Sequence, residues 1–164
     1  MRSTLIALLA FVAVFLLAAP AQSADRDSLR KPCATPAVTQ AIVDQRTAEL
    51  GETGKSMWIV QDMSVSHPKL WGVIAAKNIV WVAETAGCGF LRSLVDHEWA
   101  HLQQDRKYPG RADAAYGGMD EVEIIADCVA KEFGNPDYSP YLKLRGSGCT
   151  EYEKQSARSL IELR

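Results

Sequence analysis

The chain has 164 residues, of which 48% are hydrophobic, and it carries 18 Lys and Arg against 20 Asp and Glu. This weakly acidic balance argues against a nucleic-acid partner, which would require a basic surface. The length left after an N-terminal apolar segment is sufficient for one domain with a core of its own.

The first 24 residues have the three parts of a secretory signal peptide. Arg2 supplies the positive start, residues 5–17 form an apolar run, and residues 18–24 are the small residues typical of a cleavage site. An uncleaved anchor is the alternative, because the uncharged run is long enough to span a bilayer. The small-residue ending favours cleavage. We therefore expect a secreted monomer whose single domain comprises residues 25–164 and which keeps no stable membrane association.

All four cysteines follow the predicted cleavage site. An even number of cysteines in an exported chain predicts two disulfides, for which three pairings are possible. We favour Cys33 with Cys88 and Cys128 with Cys149, because the second pair would join the end of a predicted helix to the loop before the last helix.

The first half of the exported part is predicted to contain one helix and a small sheet. A threonine–proline start and a later glycine bound the helix at about residues 36–50. β-Rich pieces at 57–61 and within 72–82 predict two or three strands. A glycine-containing turn at 87–89 then leads into a helix with apolar periodicity over 90–104.

The second half is predicted to be mainly helical. Tyr108-Pro109-Gly110 ends the helix over 90–104. Beyond it we expect a loop at 111–119, a helix at 120–133 and a last helix that begins at Thr150. Thr150 and Glu153 match the pattern of a capping box.

The helix predicted over 90–104 contains an H-E-x-x-H sequence that runs from His97 to His101. Histidines four residues apart lie about 40° from each other around a helix, so both can reach one metal ion. Glu98 lies about 100° further round, close enough to act on a water at the metal without becoming a ligand. This layout is typical of a zinc-dependent hydrolase.

A catalytic zinc site usually has three protein ligands, so a third ligand must be found. His67 stands alone in a loop between strands, and Lys107 occupies the position at which a third histidine would follow the motif. Glu123 on the next helix is the better candidate. Asp127 lies four residues later on the same face, where its carboxylate can orient a ligand histidine.

The H-E-x-x-H motif at His97, followed by E-x-x-A-D at Glu123, resembles the signature of the gluzincin metallopeptidases and in particular that of small secreted neutral zinc metallopeptidases. The resemblance covers about residues 70–134. It implies an α+β, zincin-like fold, with a small mixed β-sheet above the H-E-x-x-H helix and a following helix that carries the third metal ligand. The implied roles are Zn²⁺ ligand for His97, His101 and Glu123, general base for Glu98, and orienting residue for Asp127.

The carboxylates of this motif have plainer alternatives. Glu123 also fits a capping pattern with Asp120, in which it would serve only the start of its own helix. Glu121 is typical of an acid favoured in a first helical turn, and Asp127 fits a surface or salt-bridge role. A di-iron site is excluded, because Ala126 stands where a second Glu-x-x-His unit needs histidine.

The sequence thus predicts a secreted zinc peptidase in which Glu98 takes a proton from water and passes it to the leaving amine. A peptide or protein is the expected substrate, because the poor leaving group of a peptide bond needs both a Lewis acid and a proton shuttle. The alternative is an inactive zincin-fold binding or structural module, which the lack of an evident oxyanion donor favours. The tyrosines that follow the motif are candidates for that donor, and spacing selects none of Tyr108, Tyr116, Tyr138 and Tyr141.

Overall fold

The computed structural model describes residues 30–135 and 139–164. These ranges form a mixed α+β fold of six helices and a three-stranded sheet, which confirms the predicted α+β class. The predicted signal peptide lies outside the described residues. No helix within the described ranges is long and apolar enough to cross a membrane.

The helices are α1 Pro36–Glu49, α2 Leu91–Lys107, α3 Ala112–Tyr116, α4 Met119–Glu132, α5 Pro140–Arg145 and α6 Glu151–Ile161. The strands are β1 Met57–Gln61, β2 Gly72–Ala76 and β3 Ile79–Ala83, and a 3-10 turn at Cys88–Phe90 leads into α2. The four helices and the strands predicted from the sequence are therefore present close to their predicted bounds. The capping box of α6 is also present, with Thr150 and Glu153 in reciprocal hydrogen bonds.

Two short helices depart from the prediction. The loop predicted at 111–119 is wrong for Ala112–Tyr116, which form α3, because helix-compatible residues precede the glycines and the left-handed Gly117 (φ 95°) ends the helix only after them. Helix α5 was not predicted. With six residues it is too short to show an apolar periodicity, although its first residue is the proline that favours a helix start.

The sheet has the strand order β1-β3-β2. Strand β1 runs parallel to β3, with Met57 opposite Ile79, whereas β2 and β3 form an antiparallel hairpin. The hairpin turns at Asn78, whose positive φ of 59° suits the small polar side chain of asparagine. The predicted mixed sheet is confirmed, and β2 lies against α2.

Helix α2 is the centre of the fold. Of its 17 residues, 12 are buried, and it contacts α1, β2, α4 and α6. Leu94, Val95 and Trp99 are fully buried, and truncating one such side chain to alanine typically costs about 2–5 kcal/mol. This packing on several sides holds the H-E-x-x-H segment in place.

Two disulfides connect these elements, and both pairings favoured from the sequence are confirmed. Cys33–Cys88 joins the segment before α1 to the turn that begins α2, and Cys128–Cys149 joins α4 to the loop before α6. Two disulfides indicate an oxidising environment.

Candidate metal centre

Helices α2 and α4 bring the three predicted ligands to one point. His97 Nε2 lies 3.1 Å from His101 Nε2 and 3.1 Å from Glu123 Oε2, and His101 Nε2 lies 3.3 Å from the same carboxylate oxygen. Ligand atoms that bind zinc tetrahedrally at about 2.0–2.1 Å are roughly 3.3–3.4 Å apart. The triangle is therefore close to the size that a single zinc ion requires.

The second nitrogen of each histidine ring has its own partner. His97 Nδ1 lies 3.0 Å from Asp127 Oδ1, and His101 Nδ1 lies 2.8 Å from Gln104 Oε1. The amide of Gln104 is oriented by its Nε2, which donates to the Val122 carbonyl oxygen at 2.9 Å, so its oxygen faces the ring. Because both partners of Nδ1 are acceptors, each histidine carries its proton on Nδ1.

When both rings are neutral, three lone pairs face each other. The Nε2 atoms of His97 and His101 and the Oε2 atom of Glu123 are all acceptors, and acceptors this close together need a positive charge between them. Imidazole nitrogen and carboxylate oxygen form the donor set of catalytic zinc sites with two histidines and one glutamate.

Asp127 connects the cluster to helix α5. It is fully buried, and while Oδ1 contacts His97, Oδ2 accepts hydrogen bonds of 2.9 Å from the backbone N–H groups of Tyr141 and Leu142. The surface alternative for Asp127 is therefore wrong, whereas the salt-bridge alternative matches its contact with His97. That contact also fits the predicted role of orienting His97, which stays a prediction.

The capping alternative for Glu123 is also wrong. The residue at the N-cap of α4 is Gly118, and no side chain caps that helix end. Asp120 and Glu121 occupy the first turn, whereas Glu123 lies one turn further on with its carboxylate at the two histidines. Glu121 is not part of the cluster, which agrees with the choice made from the sequence.

The electrostatics of the cluster favour positive charge at the point where the three atoms meet. Without a metal ion that positive charge is a proton: burial opposes a charged ring at His97, but its hydrogen bonds with Asp127 and Glu123 raise its pKa to about 10. Burial likewise opposes charge on Glu123, yet the hydrogen bonds with His101 and His97 hold the pKa of that carboxyl far below its usual range. The two acidic neighbours thus create a strongly cation-attracting pocket.

Glu98 lies in the same turn of α2 as the histidines and is 4% exposed. Burial raises the pKa of its carboxyl above the usual value, which suits a group that must take up and release a proton near neutral pH. Its carboxylate points towards Gly72 at the start of β2.

Tyr141 is the tyrosine that the structure brings to the cluster. Its ring lies parallel to that of His97, with 6.1 Å between the centroids and 7° between the planes. Burial, followed by the charge of Glu123 and a hydrogen bond with it, raises the pKa of Tyr141 to about 12, so the hydroxyl remains a hydrogen-bond donor at neutral pH. Tyr108 and Tyr116 pack against each other elsewhere, and Tyr138 lies outside the described residues.

Gln104 is a site residue that sequence reasoning missed, and Tyr141 was one of four tyrosine candidates among which spacing selected none. Gln104 follows His101 by three residues, and that spacing alone places the two side chains on one helix face. Tyr141 could not be selected from the four candidates, because α5 is too short to be recognised from periodicity. His67, rejected as a ligand from the sequence, packs against Trp81 with 5.9 Å between the ring centroids and is not part of the cluster.

No protein-family model, curated protein sequence or solved structure matches this chain. An assignment of function therefore depends on the geometry and chemistry of the cluster itself.

Proposed function

We propose that the protein is a secreted, zinc-dependent peptidase with a zincin-like fold, similar to the gluzincins. The observation that supports this most strongly is the convergence of three lone pairs, from His97, His101 and Glu123, at distances of 3.1–3.3 Å that suit a tetrahedral zinc ion. The side chains around these ligands have the chemistry that peptide hydrolysis needs.

A bound zinc ion supplies a Lewis acid, which makes water acidic enough to react near neutral pH and polarises a carbonyl group. Glu98 accepts the proton of the attacking water and returns it to the leaving amine, a task for which its raised pKa is suited. Asp127 and Gln104 hold the two histidine rings with Nε2 directed to the metal position.

Tyr141 supplies the hydrogen-bond donor that the sequence left unassigned. Its hydroxyl neighbours Glu123 and stays protonated at neutral pH, so it can donate to an oxyanion that develops next to the ligands. A donor in this position typically contributes about 10²- to 10³-fold to kcat.

The surroundings of Glu98 support an enzyme better than they support an inactive binding module. No group among the described residues hydrogen-bonds to its carboxylate, although the side chain is almost completely buried. The Glu98 oxygens are not among the buried side-chain atoms that lack a partner, so they keep contact with solvent, where a general base meets the reacting water.

The proposal is tested with the mature chain and a quenched-fluorescence peptide mixture as the probe. We expect the wild-type chain to hydrolyse the mixture and Glu98→Gln to abolish hydrolysis while zinc content stays unchanged, because glutamine keeps the shape but cannot accept a proton. Glu121→Gln on α4, outside the cluster, is the matched control and should retain activity. Hydrolysis by Glu98→Gln at the wild-type rate would remove Glu98 from the mechanism.

A further inference from the structure

The position of the Glu98 carboxylate is set by the shape of its surroundings. Electrostatic interactions with His97, His101 and Glu123 act on it, but no hydrogen bond from the described residues fixes it. A glutamate side chain has three rotatable bonds, so a carboxylate without such a bond keeps one position only if packing blocks the others. The wall that it packs against is strand β2.

Gly72, the first residue of β2, is the point at which the strand meets this side chain. A Cβ atom at Gly72 would lie 2.5 Å from Glu98 Oε1 and 2.7 Å from both Cδ and Cγ. These separations are far below the van der Waals contact distance of about 3.5–4.0 Å between carbon atoms. Only a residue without a side chain leaves the space that the Glu98 carboxylate occupies.

The strand itself is held in place around this contact. Gly72 pairs with Val82 of β3, and the carbonyl oxygen of Trp71 accepts a hydrogen bond of 2.8 Å from Ala83 N–H. The Trp71 ring is stacked on Phe90, immediately before α2, with 4.5 Å between the centroids. A side chain introduced at position 72 would therefore displace the flexible end of Glu98 more easily than the backbone of β2.

We propose that Gly72 is a positioning residue for catalysis. Because it has no side chain, it leaves the space in which the Glu98 carboxylate lies at the reacting water. The inference rests on the proposed function, because it assigns Gly72 a role in the reaction of the same site. It also explains why the first position of a strand, which favours β-branched residues elsewhere in β-sheets, is occupied by glycine here.

The test compares Gly72→Ala with Gly148→Ala, a glycine whose added Cβ would have no atom within 4 Å. A displacement of about 1 Å in a catalytic group can cost about 100-fold, so we expect Gly72→Ala to lower kcat at least tenfold on the peptide mixture. KM and zinc content should stay close to wild type, because the ligands are untouched. Gly148→Ala should keep the wild-type kcat, and wild-type kcat in Gly72→Ala would overturn the inference.

A double-mutant cycle separates positioning from a general loss of structure. Glu98→Ala removes the Cγ, Cδ and Oε1 atoms that the new methyl group would meet, so Gly72→Ala should destabilise the chain much less in the Glu98→Ala background than in wild type. Equal losses in the two backgrounds would contradict a direct contact between the two residues.

The cycle is measured on thermal unfolding midpoints, which do not depend on activity. Gly72→Ala should lower the midpoint in the wild-type chain and lower it less in the presence of Glu98→Ala. If the wild-type chain hydrolyses no peptide, the proposed function fails. Separately, midpoint shifts that add in the double variant would show that Gly72 and Glu98 are not in contact. A folded, active wild type with an unaffected Gly72→Ala variant overturns the positioning role alone.

Discussion

Helix α2 carries buried acidic groups on two sides, and the two sides are neutralised in different ways. On the side away from the metal ligands, Asp96 receives a hydrogen bond of 2.6 Å from Arg46 Nε, and Glu52 from the neighbouring loop is held by both terminal nitrogens of Arg106 at 2.7 and 2.8 Å. Trp99 Nε1 donates to the same Glu52 carboxylate at 3.0 Å. These acids are paired with arginine, and they join α2 to the elements around it.

The other side of α2 has acidic groups without such partners. Among residues 30–135 and 139–164, no ion pair with arginine or lysine involves Glu98, Glu123 or Asp127. Buried charges in proteins are normally paired or coordinate a metal. The comparison therefore distinguishes acids whose partner is an arginine from acids whose partners are the two histidines, which also offer ligand atoms to a metal ion.

The largest stability effect is expected on the arginine-paired side. Arg106→Leu leaves Glu52 buried and uncompensated, which should cost about 3 kcal/mol of unfolding free energy. Arg158→Leu, which breaks the more exposed pair with Glu132, should cost much less. Chemical denaturation of the two variants measures the difference, and zinc affinity should stay unchanged in both. A similar cost for both variants would show that the Glu52 cluster contributes no more than an ordinary surface pair.

On the side of α2 that faces the metal ligands, we expect a smaller effect, and it should appear in zinc affinity. Asp127→Asn keeps the size of the side chain and can still accept from the backbone of α5, but it weakens the bond that orients His97. Loss of such an orienting carboxylate typically lowers metal affinity about 10- to 100-fold. Competition with a zinc-binding dye measures the change. Wild-type zinc affinity in this variant would separate Asp127 from the metal site, and the distinction between the two sides of α2 would fail.

How much of the site could be predicted depends on how far apart its residues lie in the sequence. His97, Glu98 and His101 share one turn of a helix, and Glu123 and Asp127 share one face of the next, so helical periodicity was sufficient to group each set. The arginine partners of Asp96 and Glu52 come from distant segments and have no local pattern that selects them.

Gly72 and Tyr141, which lie beside the cluster, could not be selected from the sequence for the same reason. Nothing in the sequence around a glycine at the start of a strand indicates that a carboxylate from a helix occupies the space next to it. Tyr141 is brought to the cluster by backbone hydrogen bonds from α5 to Asp127, a contact between helices that periodicity does not encode. The local geometry of the ligands was therefore predictable, whereas the surroundings that tune them depend on tertiary packing.

The most direct test of the metal site is the zinc content of the purified mature chain and of two variants of α4. We expect about one equivalent of zinc in the wild type and in Glu121→Ala, and a clear loss in Glu123→Ala, because a site that depends on three ligands weakens sharply when one is removed. Glu121 is the matched control, since it lies on the same helix but outside the cluster. Less than about half an equivalent in the wild type, or a loss in Glu121→Ala with retention in Glu123→Ala, would contradict the assignment.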